Sequence, residues 1–290
     1  MNGIILIDKP EGFTSQDVVS KVKKILNIKK AGHTGTLDPM ATGILPIMLG
    51  SYTKFSKYLM EHDKIYTAKM ILGKKTTTGD TEGEIIEEKE VPNYTELQLR
   101  RTVRSTIGKQ LQTPPMYSAV KVNGKKLYEY AREGKKVDVK PREIEIYDID
   151  FCEYDKETKE LKFIVSCSKG TYIRVLCEDI AKKLGTVGHM CELRRVKVAN
   201  FNMDDAVKLH VLERFKDDEN FIRSKILNLE YVFFENEKII LSLKDLDRFS
   251  NGVKLKINEI DGMYLIYNEF GQCLGTGIVK DGLLKRDIMI

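Results

Sequence analysis

The segment Ala31-Gly32-His33-Thr34-Gly35-Thr36-Leu37-Asp38-Pro39-Met40-Ala41-Thr42-Gly43 gathers residue types that a reaction can use. Its glycines admit backbone geometries that other residues resist, and Pro39 fixes the position after Asp38. A carboxylate on such a loop is positioned, whereas one on a lysine-rich helix face is merely solvated. Asp38 is therefore a candidate acid, base or nucleophile, with the His33 imidazole five residues before it. On local physics alone, an Asp in a Gly/Pro loop is more often a turn former than a catalyst. The general concentration of function on loops keeps the chemical reading open. Gly32-x-x-Gly35 is not the dinucleotide-binding G-x-G-x-x-G, and no G-x-x-x-x-G-K-[ST] phosphate loop occurs. No nucleophile-elbow motif accompanies any of the four histidines.

Other chemistries are set aside by composition. The five cysteines (Cys152, Cys167, Cys177, Cys191, Cys273) are widely spaced and form no C-x-x-C pair, so buried free thiols in a reducing compartment are expected rather than a zinc site. The 290-residue chain is 42% apolar and 31% charged, enough for a sizeable core in one large domain with a small appendage. Met1–Leu6 lacks a basic stretch followed by a long apolar run, and no run approaches membrane-helix length, so a cytoplasmic protein is expected. Net charge is only +5, but it is uneven. Lys21–Lys75 holds eleven lysines against Asp38, Glu61 and Asp63, and Lys121–Arg142 holds eight basic residues against three acidic ones. Such patches suit a polyanionic partner, although a solvated lysine-rich surface produces the same pattern.

The elements around the loop follow from periodicity. Residues 3–7 (GIILI) and 44–49 (ILPIML) are continuous apolar runs and read as buried strands. Thr14 or Ser15 caps a helix carrying Val18, Val19, Val22, Ile25 and Leu26 at helical spacing. Between them, residues 29–43 form a long loop, which in a compact domain is more often functional than accidental. Residues 53–60, 94–107, 127–132 and 172–184 read as helices, the last closed by Gly185. Residues 65–72, 117–122, 144–151 and 161–166 read as strands, and 76–84 as a polar turn. There is no regular βαβ repeat, so the expected fold is α+β with a mixed, mostly antiparallel sheet. After Asn200 come short helical pieces over 204–229. A β-rich module over 237–290 follows, with strands at 253–257, 263–267 and 273–279. The two units expected are 1–236 and 237–290.

The loop also carries a family resemblance. G-H-T-G-T-L-D-P-x-A-x-G-x-L resembles the signature of the tRNA pseudouridine-55 synthases, the B-type branch of pseudouridine synthases. Gly3–Pro10 resembles that family's amino-terminal strand and Asp-Lys-Pro turn, and Lys64-Ile65-Tyr66-Thr67-Ala68 its tyrosine motif. Pro114–Lys121 with KKLYEYAREG (Lys125–Gly134) resembles its middle block, in the form of the bacterial stand-alone branch. Cys167–Arg174 resembles its arginine motif, and Leu193-Arg194-Arg195 its last catalytic-domain element. These motifs run in the family's order from Gly3 to Phe201. The carboxyl-terminal module resembles a PUA-like RNA-binding domain through its short strands and Gly271-x-x-Leu274-Gly275-x-Gly277.

The resemblance implies isomerisation of uridine-55 in the tRNA T-loop, with no metal or cofactor, by a monomer acting on the T-arm without a guide RNA or obligate protein partner. It makes Asp38 the catalytic aspartate and Arg174 its partner, a guanidinium able to lower the carboxyl pKa by roughly 1–3 units. Without the resemblance, Arg174 reads as an ordinary helix-surface ion pair and Tyr66 as a tyrosine in a half-buried strand. With it, Tyr66 becomes the ring that stacks on an extruded uracil or moves a proton. Tyr172 packs against the same pocket, and Leu193 forms its apolar wall. His33 becomes the residue that enters the RNA stack in place of the flipped nucleotide. Lys9, Lys30 and Lys121 are assigned to phosphates. Flipping is required because the reacting atoms are shielded in a folded loop, at a cost of a few kcal/mol. Three rivals stand beside this reading: a guide-RNA-dependent synthase, an RNA-binding or tRNA-folding protein, and a small-molecule enzyme.

Overall fold

The computed structural model describes all 290 residues. Its centre is an eleven-stranded mixed sheet. Strand β1 (Gly3–Lys9) pairs antiparallel with β3 (Thr42–Leu49), and the short β2 (Ala31–His33) adds antiparallel to the carboxyl-terminal end of β3, His33 facing Ile47. From β3 the sheet continues through the Gly188–Val198 strand, β4 (Lys64–Leu72), Glu160–Cys167, Arg142–Asp155 and Gly108–Gln112. All of these pairings are antiparallel except Gly188–Val198 on β3. The α+β expectation holds, with the sheet mixed and mostly antiparallel.

Apolar runs explain why β1 and β3 lie inside. Ile5, Ile7, Leu45, Ile47 and Leu49 join the main core with Val18, Val19 and Val22 of helix α1 (Ser15–Ile25). The alternate residues Ile4, Leu6, Ile44 and Met48 pack on the opposite face against Tyr52, Phe55, Leu59 and the carboxyl-terminal unit's Leu265 and Tyr267. Both faces are covered, which is what a strand without apolar–polar alternation requires. Helix α1 begins at Thr14, whose hydroxyl accepts from Asp17 N at 3.1 Å while Asp17 returns the bond, a capping box. The Ile173–Lys183 helix ends in the left-handed Gly185, with Gly185 N–H donating to Lys182 O and Thr186 N–H to Ala181 O.

Residues 238–289 form a separate five-stranded sheet, ordered Lys238–Leu241, Gly262–Asn268, Cys273–Lys280, Leu283–Met289 and Leu255–Lys256. The Leu243–Ser250 helix, the Lys238–Leu241 strand and the Leu283–Met289 strand add to the elements expected from turn spacing.

Several expectations are corrected. Tyr117–Val120 is not strand; only Lys121–Val122 is, in a hairpin with Lys125–Lys126. The polar turn over 76–84 is the tip of a hairpin whose strands are Lys74–Thr76 and Ile85–Glu88. The long loop is interrupted by β2. No helix is long and apolar enough to cross a membrane.

Candidate active site

The loop between β2 and β3 is fixed along its length. Thr34 N–H donates to Pro46 O, and the Ser15 hydroxyl both accepts from Leu37 N–H at 2.9 Å and donates to Leu37 O at 3.1 Å. Gly12 N–H and Lys9 Nζ both reach Pro39 O at 2.9 Å. Leu37 and Ala41 are buried in the core on either side of Asp38. Gly43 has φ +102°, and a Cβ there would lie 2.2 Å from Arg195 O, so only glycine lets the loop rejoin β3 against the neighbouring strand.

Asp38 faces Arg174, which projects from the first turn of the Ile173–Lys183 helix. Arg174 Nε lies 3.0 Å from Asp38 Oδ2, and Nη2 lies 3.3 Å from Asp38 Oδ1. The same guanidinium donates to Tyr117 O at 2.8 Å and Thr78 O at 3.1 Å, and it lies 3.5 Å from Asp80 Oδ2. Arg174 is 5% exposed, with its donors satisfied by protein, so it is no surface ion pair. The helix start is held by Gln112, whose side chain accepts from Tyr172 N–H at 2.7 Å and donates to Tyr172 O at 3.1 Å.

Tyr66 and Leu193 arrive from neighbouring strands. The register sets Tyr66 opposite Arg195 and Ala68 opposite Leu193, so Leu193, Arg195 and Tyr66 share one face of the sheet. Asp38, Tyr66, Tyr172, Arg174, Leu193 and Arg195 line one cavity of about 400 Å³, joined by Ser118 and Lys64. This volume falls in the range of small-molecule pockets. A larger groove of about 650 Å³ lies elsewhere, lined almost wholly by charged side chains that pair with one another, as in Lys69–Glu160 and Lys162–Glu153.

Burial is the largest influence on Asp38 and pushes its carboxyl above the ordinary range; Arg174 opposes this, Asp80 reinforces it, and Lys9 opposes it. Arg174 pulls the Asp38 carboxyl down, as expected of an adjacent guanidinium, and desolvation outweighs that pull. Burial likewise pushes the Tyr66 phenol up, against the charge of Arg195. His33 is half-buried with Nδ1 unpartnered, and burial, Arg195 and Lys126 lower its pKa, each favouring the uncharged ring. It stands beside the cavity at the end of β2 and does not line it.

The three lysines assigned to phosphates separate. Lys30 and Lys121 are exposed. Lys9 is fully buried, with Nζ at 2.9, 2.5 and 2.9 Å from the carbonyl oxygens of Pro10, Phe13 and Pro39. An ammonium has three N–H donors, and all three are used, so Lys9 braces the loop from within instead of meeting a phosphate. Sequence reasoning missed Asp80, Gln112, Ser118 and Arg195 as site residues. Arg195 is 1% exposed and donates through Nε to Ile44 O at 2.8 Å and through Nη2 to Gly35 O at 3.2 Å. Its place in the Leu193-Arg194-Arg195 motif was the available signal; Asp80 in a Thr/Gly turn and Gln112 at the end of an unrecognised strand offered none.

Residues 23–173 match the TruB family pseudouridylate synthase N-terminal domain, and residues 174–233 match the tRNA pseudouridylate synthase B C-terminal domain. The chain is 44% identical over 262 residues to tRNA pseudouridine synthase B of Psychrobacter cryohalolentis, covering 89% of this chain and 72% of that protein. It is 40% identical over 291 residues to tRNA pseudouridine synthase B of Clostridium kluyveri, covering 98% of each. Among solved structures, a Cbf5-Nop10-Gar1 complex contains a chain with TM-score 0.74 and 25% identity, covering 99% of this chain and 84% of that one.

Proposed function

The chain belongs to the TruB family of pseudouridylate synthases, and from that premise we propose that it isomerises uridine-55 in the T-loop of tRNA to pseudouridine. Its tRNA pseudouridine synthase B relatives support tRNA as the substrate. The observation that carries the reading is the Asp38–Arg174 pair at 3.0 Å, set in one cavity with Tyr66, Tyr172 and Leu193.

Pseudouridine formation breaks the N1–C1′ bond, turns the base over and joins C5 to C1′, with loss of the C5 hydrogen. Asp38 supplies the carboxylate for this sequence, as a nucleophile or as a proton acceptor at the sugar. Arg174 holds that carboxylate in one orientation and stabilises its charge. Tyr66 stacks on the extruded uracil or moves the C5 proton, Leu193 and Tyr172 enclose the base, and His33 fills the gap left in the RNA stack. Lys30 and Lys121 meet phosphates from outside the cavity. The 237–290 unit serves as a PUA-like RNA-binding domain. The enzyme acts as a monomer, with no cofactor, guide RNA or protein partner.

Tritium release from a [5-³H]uridine-labelled tRNA transcript tests this directly. Wild type is expected to release label equivalent to one T-loop uridine, and Asp38→Asn to bind the tRNA and release none. Wild type that binds naked tRNA without releasing label would favour a guide-dependent or RNA-folding role. An Asp38→Asn variant that retained activity would remove Asp38 from the mechanism.

A further inference from the structure

Ser118 holds a buried hydroxyl that the protein leaves without a partner. The residue is 7% exposed, and Oγ has no hydrogen bond. Its backbone is fixed on both sides: Arg174 Nη2 donates to Tyr117 O at 2.8 Å, Tyr128 N–H donates to Ser118 O at 3.1 Å, and Leu127 N–H donates to Val120 O at 2.8 Å. The side chain lines the cavity that Asp38, Tyr66 and Leu193 also line. The Tyr172 hydroxyl is its polar neighbour there: the Ser118 side chain favours the ionised phenol, against the larger upward push of burial, yet Oγ meets no partner at hydrogen-bond distance.

Buried hydroxyls are nearly always paired, so one left unpaired on a cavity wall marks a place for a partner. Its segment is tied directly to Arg174, which also holds Asp38, so the hydroxyl is set at fixed geometry in the same cavity. A cavity that receives a pyrimidine through an apolar wall and an aromatic ring needs polar groups to read its edge. The uracil edge presents two carbonyl oxygens and an N3–H, and a serine hydroxyl has one donor to offer a carbonyl.

We propose that Ser118 is a base-reading residue whose hydroxyl donates to a carbonyl oxygen of the flipped uracil. This rests on the pseudouridine synthase reading of the cavity. The hydroxyl is unsatisfied in the free enzyme because its partner arrives with the substrate, and a polar group left unpaired by the wrong base is a strong basis for discrimination.

The test pairs Ser118→Ala with T-arm RNAs carrying uridine, 2-thiouridine or 4-thiouridine at the target position, read by single-turnover product formation. Sulfur accepts a hydrogen bond poorly, so wild type is expected to lose about tenfold on one of the two thio-substrates relative to uridine. Ser118→Ala is expected to lose about tenfold on uridine and to show no further loss on that same thio-substrate. Binding of a T-arm abasic at the target, and the melting temperature, are expected to be unchanged or improved in Ser118→Ala, since an orphan hydroxyl is removed. Full activity of Ser118→Ala on uridine overturns the proposal. So does an equal thio-effect in wild type and variant, or a fall in activity matched by a fall in melting temperature. Inactivity of wild type on uridine would instead overturn the reading of the cavity on which the proposal rests.

Discussion

Arg174 lies between two carboxylates, Asp38 at 3.0 Å and Asp80 at 3.5 Å, and Asp80 is 2% exposed. Asp80 is itself tied down: Thr78 Oγ1 donates to its carboxylate, and Glu82 N–H reaches Oδ1 at 3.1 Å. It therefore acts as a second anchor that sets the guanidinium's angle toward Asp38 and as a like charge near it. These two effects are separable by pH. Asp80 raises the Asp38 pKa, so Asp80→Asn should move the acid limb of activity to lower pH, because Asp38 then stays ionised further into acid. The plateau should fall roughly tenfold or more, because Arg174 loses one carboxylate partner and holds Asp38 less firmly. Single-turnover tritium release across the acid range measures both. An unmoved limb with a lowered plateau would leave Asp80 a purely geometric role.

At the scale of elements, the Asp38 loop is held by its neighbours more than by its own residues, and Lys9 does much of this. The Lys9 ammonium joins the end of β1 to the loop through Pro39 O while also closing the turn at Pro10 and Phe13. Burial lowers its pKa to about 8. The folded state thus sheds this proton before the unfolded chain does, and between about pH 8 and the ordinary lysine value of 10.5 the unfolded chain binds more protons. From this group, stability rises with pH through that window as the penalty for burying charge is relieved. In Lys9→Met the contribution disappears, so the slope of unfolding free energy against pH should fall by up to about 1.4 kcal/mol per pH unit there. The variant should also be less stable at pH 7, because three carbonyls lose their donor, and slower in catalysis, because Pro39 is released. Urea denaturation at several pH values measures the first effect; an unchanged slope would show that Lys9 does not titrate in this window.

The same elements show what was legible in the sequence and what was not. β1, β3, β4, α1 and the Ile173–Lys183 helix carry uninterrupted apolar periodicity and caps, and all formed close to the expected bounds. The Gly188–Val198 strand lies mid-sheet yet carries His189, Glu192, Arg194, Arg195 and Lys197, and those charges hide its period. Its position is set by pairing with β3 and β4, a non-local property. Lys9 illustrates the same limit: charge suggested a surface residue, and only the three converging carbonyls reveal an internal brace. Tyr117–Val120 has strand composition, but its Tyr117 carbonyl is taken by Arg174. Motif order brought Asp38, Tyr66, Tyr172, Arg174 and Leu193 together correctly. Asp80 and Gln112 act through contacts from distant segments, which no local spacing encodes; Ser118 stands inside the Pro114–Lys121 motif, which does not show that its side chain faces the cavity.

Across the whole molecule, the five-stranded carboxyl-terminal unit is joined to the large sheet by a continuous apolar layer. Leu265 and Tyr267 pack with Phe233, Phe55, Tyr52 and Met48, and the rings of Phe233 and Tyr58 stand edge to face with centroids 5.1 Å apart. Polar contacts cross the same boundary, among them Lys54 Nζ to Met289 O at 2.8 Å and a cluster at Asp287. Asp287 accepts from Tyr58 Oη at 2.6 Å and from Thr276 Oγ1 at 2.7 Å, with Lys57 Nζ at 3.3 Å. Burial alone would raise the Asp287 pKa, but the two hydroxyls and Lys57 outweigh it and hold it below the ordinary range. A carboxyl with a lowered folded pKa contributes stability above its unfolded value, and that contribution is lost as pH falls through the folded value. Asp287→Asn should therefore lower stability at pH 7 by roughly 1–3 kcal/mol, with the difference from wild type shrinking as acid protonates the native carboxylate. Because the apolar layer is shared, the loss should appear in a single unfolding transition rather than as release of the carboxyl-terminal unit alone. Calorimetry of both proteins at neutral and acid pH distinguishes these outcomes: two resolved transitions in the variant would mean that the Asp287 node, and not the layer beneath it, couples the two units.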